Sequence, residues 1–132
     1  MKLSTFAIII TILAVGFGLA FVLIPVKLAA FYGIGLSGGG VVMARYFGVS
    51  NLFIGMIFWS YSSVSPSAKS WPKLLLYSLI YDILQLGVTL KAQLNDGSNF
   101  MGWTTVGLFA LLAIGSAYYL VQSNKARAAL AV

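Results

Sequence analysis

Two charged side chains, Arg45 and Asp82, interrupt otherwise apolar stretches of this 132-residue sequence. Around Asp82, polar residues recur at spacings of four, three and four, which places them on one face of a helix. An intramembrane acid of this kind can bind a proton, a cation or a polar head group, or can pair with a basic side chain. The candidate polar cluster, whether ligand-binding or structural, consists of Asp82, Arg45, Asn51, Ser78, Gln85 and Thr89.

The chain contains no histidine and no cysteine. This excludes thiol chemistry, zinc or iron–sulfur sites with cysteine ligands, and haem or copper held by histidine. The glycine-rich segment 33–40 lacks the spacing of a phosphate-binding loop and is predicted to be a flexible outer loop. No catalytic residue, metal ligand or cofactor is therefore identified, although aromatic residues in the apolar stretches leave room for a non-covalently packed lipid, quinone or pigment.

Four apolar stretches, at about residues 4–24, 41–61, 72–92 and 102–122, have the roughly 20 residues that a transmembrane helix needs. The first is too long for a signal peptide and is predicted to be retained. Only 8% of the residues are charged, against about 25% in soluble domains. Short connections make consecutive helices antiparallel. The sequence thus predicts an all-α membrane protein with one domain, residues 1–132, folded as an antiparallel up-down bundle of four transmembrane helices.

Basic residues near the ends of the spans set the orientation in the membrane. Lys27 and Lys91 fall on one side, and a larger group falls on the other: Lys2, Lys69, Lys73, Lys125 and Arg127. This distribution predicts cytoplasmic N- and C-termini, with Trp59 and Trp71 at the cytoplasmic interface. The net charge of +6 does not indicate nucleic-acid binding, because the basic residues flank the spans instead of forming a basic surface. The predicted partners are the lipid bilayer and other membrane-protein subunits.

Small residues mark helix contacts in membranes, because they allow two backbones to approach closely. Three of the spans carry such a face, formed by Ala7, Thr11, Ala14 and Gly18 in the first, by Ala44, Gly48, Asn51 and Gly55 in the second, and by Ala110, Ala113 and Ala117 in the fourth. The second span and the third would bring Arg45 and Asp82 within about 7 Å along the helix axes. Three interpretations stay open: a structural ion pair, a partly unpaired Asp82 that binds a ligand, and a contact with another subunit.

Pro25 follows the first span, and the segments KLAAFYGIGLS (27–37) and VMARYFGVSNLFIGMIFW (42–59) come next. This arrangement resembles the DoxX-like proteins and related families of unknown function, which are small bacterial four-helix inner-membrane proteins. The resemblance covers residues 23–59. It implies a four-helix bundle in a bacterial inner membrane and brings no established catalytic residue.

Two functions from different classes are expected. The first is an accessory or structural subunit of a larger membrane complex without catalysis of its own, since the chain is small and has no nucleophile, base and orienting group in one constellation. The alternative is a binder or carrier of a small molecule, a proton, a lipid or a quinone that uses the polar stripe around Asp82. An enzyme would have to rely on Asp82, Arg45 and tyrosines.

Overall fold

The computed structural model describes residues 2–65, 68–95 and 100–129, and the elements in these ranges are α-helices. Their order is α1 (Leu3–Leu23), α2 (Pro25–Phe31), α3 (Gly38–Ser62), α4 (Trp71–Asn95) and α5 (Phe100–Ala129). All but α2 are long and apolar enough to cross a membrane, which confirms the four predicted spans. The helices thus have the length and hydropathy of an integral membrane protein. Parts of the short connections before α4 and before α5, residues 66–67 and 96–99, lie outside the described residues.

Pro25 separates α1 from α2. A proline disfavours the helical conformation of the residue before it, and Ile24 accordingly has φ −131° and ψ 46°. Pro25 itself is well suited to the first turn of a helix, where its missing N–H is not needed. Gly33 follows α2 with φ 70°, a left-handed conformation that glycine adopts at little cost.

The start of α3 corrects the predicted outer loop. Residues 33–40 were expected to be a flexible loop, but α3 begins at Gly38, and the Val41 N–H donates to the Ser37 carbonyl at 2.9 Å. Glycine costs a helix up to about 1 kcal/mol per residue. Leaving a backbone amide unpaired in an apolar medium costs more than this. A helix that extends through the three glycines therefore has the lower free energy.

The helices form two compact units, Met1–Val64 and Ser65–Val132. In the first unit, α1 and α3 run antiparallel, since Gly18 lies against Gly48 and Thr11 lies against Gly55. A Cβ atom added to Gly48 would stand 2.8 Å from the Gly18 carbonyl oxygen, and one added to Gly18 would stand 2.9 Å from that of Gly48. The backbones of α1 and α3 are therefore in direct contact at Gly18 and Gly48. The small face predicted for α1 is confirmed, because all four of its residues are buried.

On the small-residue face predicted for α3, Gly48 and Gly55 are buried, whereas Ala44 and Asn51 are half-buried. The Thr11 hydroxyl lies 2.9 Å from the Ala7 carbonyl oxygen on its own helix and 3.4 Å from the Gly55 carbonyl oxygen on α3. A hydroxyl that reaches across a helix contact adds a polar link where apolar burial gives little, because lipid is as apolar as the helix surface.

In the second unit, α4 and α5 also run antiparallel, because Asp82 lies beside Ser116 while Gln93, further along α4, lies beside Gly102. Trp71 is 0% exposed and donates its indole N–H to the Ser65 carbonyl oxygen at 3.0 Å. The Trp71 ring is therefore buried within the unit, and its place at the cytoplasmic interface stays a prediction.

The face that α5 buries also differs from the predicted one. The predicted alanines are half-buried, and the buried residues in the second half of the helix are Ser116, Tyr119 and Ser123. One residue is about 100° of helix rotation. The buried face of α5 is therefore rotated away from the alanines, and its residues in this half of the helix carry hydroxyl groups.

Candidate functional site

The contact between α4 and α5 holds the candidate site, because the carboxyl group of Asp82 is buried there. Asp82 is 3% exposed, and Ser116, which faces it from α5, is 0% exposed. The Ser116 hydroxyl donates to Asp82 Oδ2 at 3.1 Å, and the Ser78 hydroxyl, one turn earlier on α4, lies 3.4 Å from the same oxygen. The acid is thus held by hydroxyl groups from two helices.

The two serine hydroxyls also lie close to each other, with 3.2 Å between Ser78 Oγ and Ser116 Oγ. Together with Asp82 Oδ2 they form a triangle of oxygen atoms, called here the oxygen triangle. Each hydroxyl has one proton to donate and lone pairs that accept. The two hydroxyl protons are shared among three oxygen–oxygen contacts. The two hydroxyls can therefore exchange donor and acceptor roles while the oxygen atoms stay in place.

The other carboxyl oxygen of Asp82, Oδ1, receives no hydrogen bond from the described residues. Among those residues, every fully buried side-chain oxygen or nitrogen has a hydrogen-bond partner. Oδ1 is therefore not fully buried.

Lysines on the same helix are too distant to neutralise Asp82. Lys73 precedes it by nine residues, Lys91 follows it by nine, and both side chains are exposed. At 1.5 Å per residue each lies about 13 Å away along the helix axis. Asp82 is thus near the middle of α4, at the depth where an ionised carboxylate is costly in a bilayer.

The rest of the predicted stripe on α4 is bonded within its own helix. Gln85 Nε2 donates to the hydroxyl oxygen of Tyr81 at 3.0 Å. The Thr89 hydroxyl donates to the Gln85 carbonyl oxygen at 2.8 Å. The Tyr81 ring packs edge-on against Phe109 of α5, with 6.3 Å between the ring centroids. The predicted polar face of α4 therefore has two parts. Gln85 and Thr89 bond within the helix, and Ser78 and Asp82 form the site.

The two remaining candidates, Arg45 and Asn51, belong to the first unit. Asn51 Nδ2 donates to the Phe47 carbonyl oxygen on its own helix at 2.9 Å. Arg45 is exposed on α3 and makes no hydrogen bond or ion pair with a described residue of its unit. The pairing of Arg45 with Asp82 of the second unit stays a prediction.

Known proteins give no guide to this site. Comparison of the chain with protein-family models, curated proteins and solved structures found no match. The role of Asp82 must therefore be inferred from its chemistry.

Ser116 is the site residue that the sequence did not indicate. Its signal is a hydroxyl in the middle of an apolar span, followed at spacings of three and four by Tyr119 and Ser123. This alternation of three and four marks one continuous face of a packed helix, and all three residues are buried. The pattern of small residues indicates the neighbouring alanines instead of this face.

Proposed function

We propose that this protein binds a small cationic ligand, a proton or a metal cation, at Asp82 within the membrane-spanning pair α4–α5. The observation that carries the proposal is a carboxyl group with one oxygen held by two hydroxyls and the other without a hydrogen bond. An ionised aspartate at mid-membrane costs roughly 2.5–3.5 kcal/mol on insertion scales. A bound proton or cation removes that cost, whereas two serine hydroxyls only reduce it.

A hydrophobic carbodiimide tests this proposal, because it reacts with protonated carboxyl groups in apolar surroundings. The chain has only two acidic side chains, Asp82 and Asp96, so the labelling pattern is simple. In native membranes, dicyclohexylcarbodiimide should add one label to Asp82, as read by intact mass and peptide mapping. Asp82→Asn should abolish the label, and the matched control Asp96→Asn should keep it. Absence of label at Asp82 in the folded protein would refute a protonatable site.

A second candidate function, that of an accessory or structural subunit of a larger membrane complex, is supported by Arg45. An arginine inside a span normally faces a partner, a cavity or the head groups. Arg45 lies seven residues into α3, about 10 Å from the helix start, and is exposed on its own unit. A carboxylate or phosphate beyond the first unit is the natural partner, and another subunit can supply it.

The subunit proposal predicts that Arg45→Gln releases the chain from its assembly. In a mild detergent extract, the parent protein should migrate in a large complex, and the variant should migrate as a lone 14.1 kDa chain. Lys27→Gln removes another exposed basic residue from the first unit and serves as the control. If the parent protein already migrates alone, this candidate function is withdrawn.

For the whole chain, we infer the antiparallel four-helix bundle in a bacterial inner membrane, with cytoplasmic N- and C-termini. Each unit already contributes one antiparallel pair of long helices. The excess of basic residues beside the N-terminus, the central connection and the C-terminal segment supports the orientation. Because the chain has no cysteine, a single Ser37→Cys substitution checks it: a membrane-impermeant maleimide should label that cysteine from outside intact cells.

A further inference from the structure

The packing of α1 against α3 leaves an open groove on one side of the pair. The groove has a volume of about 640 Å³ and lies between residues 11–16 of α1 and residues 55–60 of α3. Gly16 and Gly55 line it, and a Cβ added to Gly16 would meet no atom within 4 Å. Its surface is mainly apolar. The groove is therefore suited to a hydrocarbon chain.

The groove runs diagonally along the two helices. Thr11 is level with Gly55, because the Thr11 hydroxyl lies 3.4 Å from the Gly55 carbonyl oxygen. In an antiparallel pair, Ser60 is then level with Phe6 near the start of α1, whereas Gly16 lies ten residues deeper along α1. At 1.5 Å per residue, the groove extends over about 15 Å of the helix axis. It thus leads from the end where α1 begins into the apolar part of the span.

Trp59 provides a hydrogen-bond donor at the shallow end of the groove. Its side chain is 63% exposed, and its indole N–H has no hydrogen-bond partner among the residues that the structure describes. At a membrane interface, a tryptophan places its ring in apolar surroundings and its N–H toward the head groups. Trp59 therefore has one donor available to a polar group that lies at the mouth of the groove.

Lys2 places a positive charge at the same end. Thr5, Ile9, Ile12 and Gly16 are exposed and follow one another at spacings of four, three and four, which defines one continuous face of α1. Lys2 is also exposed and precedes Thr5 by three residues. Because Ile12 and Gly16 line the groove, the lysine stands on the groove side of α1, just beyond its shallow end.

The first unit has no acidic side chain that could pair with Lys2. The chain contains two acidic side chains, Asp82 and Asp96, and both belong to the second unit. Asp82 lies in the middle of α4 and is held by serine hydroxyls. A bilayer supplies a counter-charge at its surface in the phosphate groups of anionic lipids. An apolar groove that ends at an N–H donor and an ammonium group matches the chemistry of such a lipid.

We propose that this groove binds one anionic phospholipid, with an acyl chain between α1 and α3 and its phosphate beside Lys2 and the Trp59 N–H. The bulk lipid is as apolar as the groove, so burial alone gives the chain little. Affinity comes from the head group and from the close contact of the chain with two helices. The site lies in the first unit and does not involve Asp82, so its failure leaves the proposed function unaffected.

A photoreactive lipid tests the site in the purified full-length protein in mild detergent. The probe is a phosphatidylglycerol with a diazirine in the middle of one acyl chain, and peptide mass spectrometry locates the labelled residues. Labels should concentrate on Ile12, Val15 and Met56, which line the groove. Labels spread evenly around α1 and α3 would overturn the proposal. So would an unlabelled groove, which is expected if a protein helix fills it.

Competition identifies the head group. Unlabelled phosphatidylglycerol should suppress the labelling at about one fifth of the concentration that phosphatidylcholine with the same chains requires. This factor is the effect of one lysine near an anionic surface. Lys2→Gln should remove the preference, and Lys27→Gln, which replaces another exposed lysine of the first unit, should retain it. Equal competition by the two lipids in the parent protein would overturn an anionic ligand.

Filling the groove provides an independent check. Gly16→Leu places a side chain in the open space of the groove and should reduce the labelling of Val15 and Met56 at least fivefold. Gly107→Leu adds the same side chain to α5, where a Cβ also meets no atom within 4 Å, and should leave the labelling unchanged. Unchanged labelling in Gly16→Leu would show that the acyl chain does not lie in the groove.

Discussion

Replacing Gly48 with leucine is expected to separate α1 from α3 and to lower the free energy of unfolding by about 3 kcal/mol, at the upper end of overpacking effects. A Cβ at this position would lie 2.8 Å from the Gly18 carbonyl oxygen, 2.9 Å from Phe21 Cβ and 2.9 Å from Val22 Cγ2. The first of these atoms belongs to the backbone and the second lies next to it. Neither can move unless the whole helix moves, so the side chain forces the helices apart.

Gly16 provides the matched control on the opposite helix of the same pair. It is exposed, and a Cβ added to it meets no atom within 4 Å. Gly16→Leu should leave the unit intact and can stabilise it slightly, because leucine favours helix over glycine by up to about 1 kcal/mol. Both variants add the same side chain to an apolar surface, so a difference between them reports packing alone.

The helix contact can be followed directly, because the chain has no cysteine of its own. Phe21 and Phe47 pack edge to face with ring centroids 5.0 Å apart. A short bis-maleimide should crosslink cysteines placed at these two positions. The crosslinking yield at increasing SDS mole fraction then measures how firmly α1 and α3 stay in contact. Gly48→Leu should lose crosslinking at a lower SDS fraction than Gly16→Leu. Coinciding curves would mean that the close approach of the glycines does not hold the pair together.

The transmembrane helices could be predicted from the sequence because hydrocarbon imposes one strong rule. A spanning segment must pair all of its backbone groups within itself, so about 20 apolar residues are enough to specify a helix. The end of α1 followed from Pro25, which blocks the helix locally. The start of α3 at Gly38 did not follow, since glycine propensity measured in water disfavoured a helix that the apolar environment favours.

The candidate site was only partly predictable because it depends on two helices at once. The burial of Asp82 and the proximity of Ser78 follow from helical spacing on α4 alone. The contact of Ser116 with Asp82 depends on how α5 is rotated and on its register against α4. The sequence periodicity of a single helix determines neither of these. Thr89 and Gln85 shared the predicted face but bond within α4, because a hydroxyl or amide can find a partner on its own helix.

Replacing Ser116 with leucine is expected to open the α4–α5 contact at its centre. Ser116 is 0% exposed, so the larger side chain has no space to occupy. Overpacking costs about 1–3 kcal/mol, and the lost hydrogen bond to Asp82 adds about 0.6 kcal/mol, the average found for such bonds in a membrane protein. Gly107→Leu is the control on the same helix, because a Cβ there meets no atom within 4 Å. Cysteines at Tyr81 and Phe109, whose rings pack against each other, report the contact through crosslinking in SDS.

A double-mutant cycle separates the hydrogen bond from the volume effect. Ser116→Ala keeps the space and removes the hydroxyl, and Asp82→Ala removes the acceptor. If the 3.1 Å bond stabilises the pair, the two substitutions should be non-additive by about 0.6 kcal/mol, the average found for hydrogen bonds between transmembrane helices, and by no more than about 1.7 kcal/mol. Additive losses would show that Ser116 contributes only by its small size. Asp82 would then be held by Ser78 alone, and the oxygen triangle would lose the link that ties it to the packing of α4 against α5.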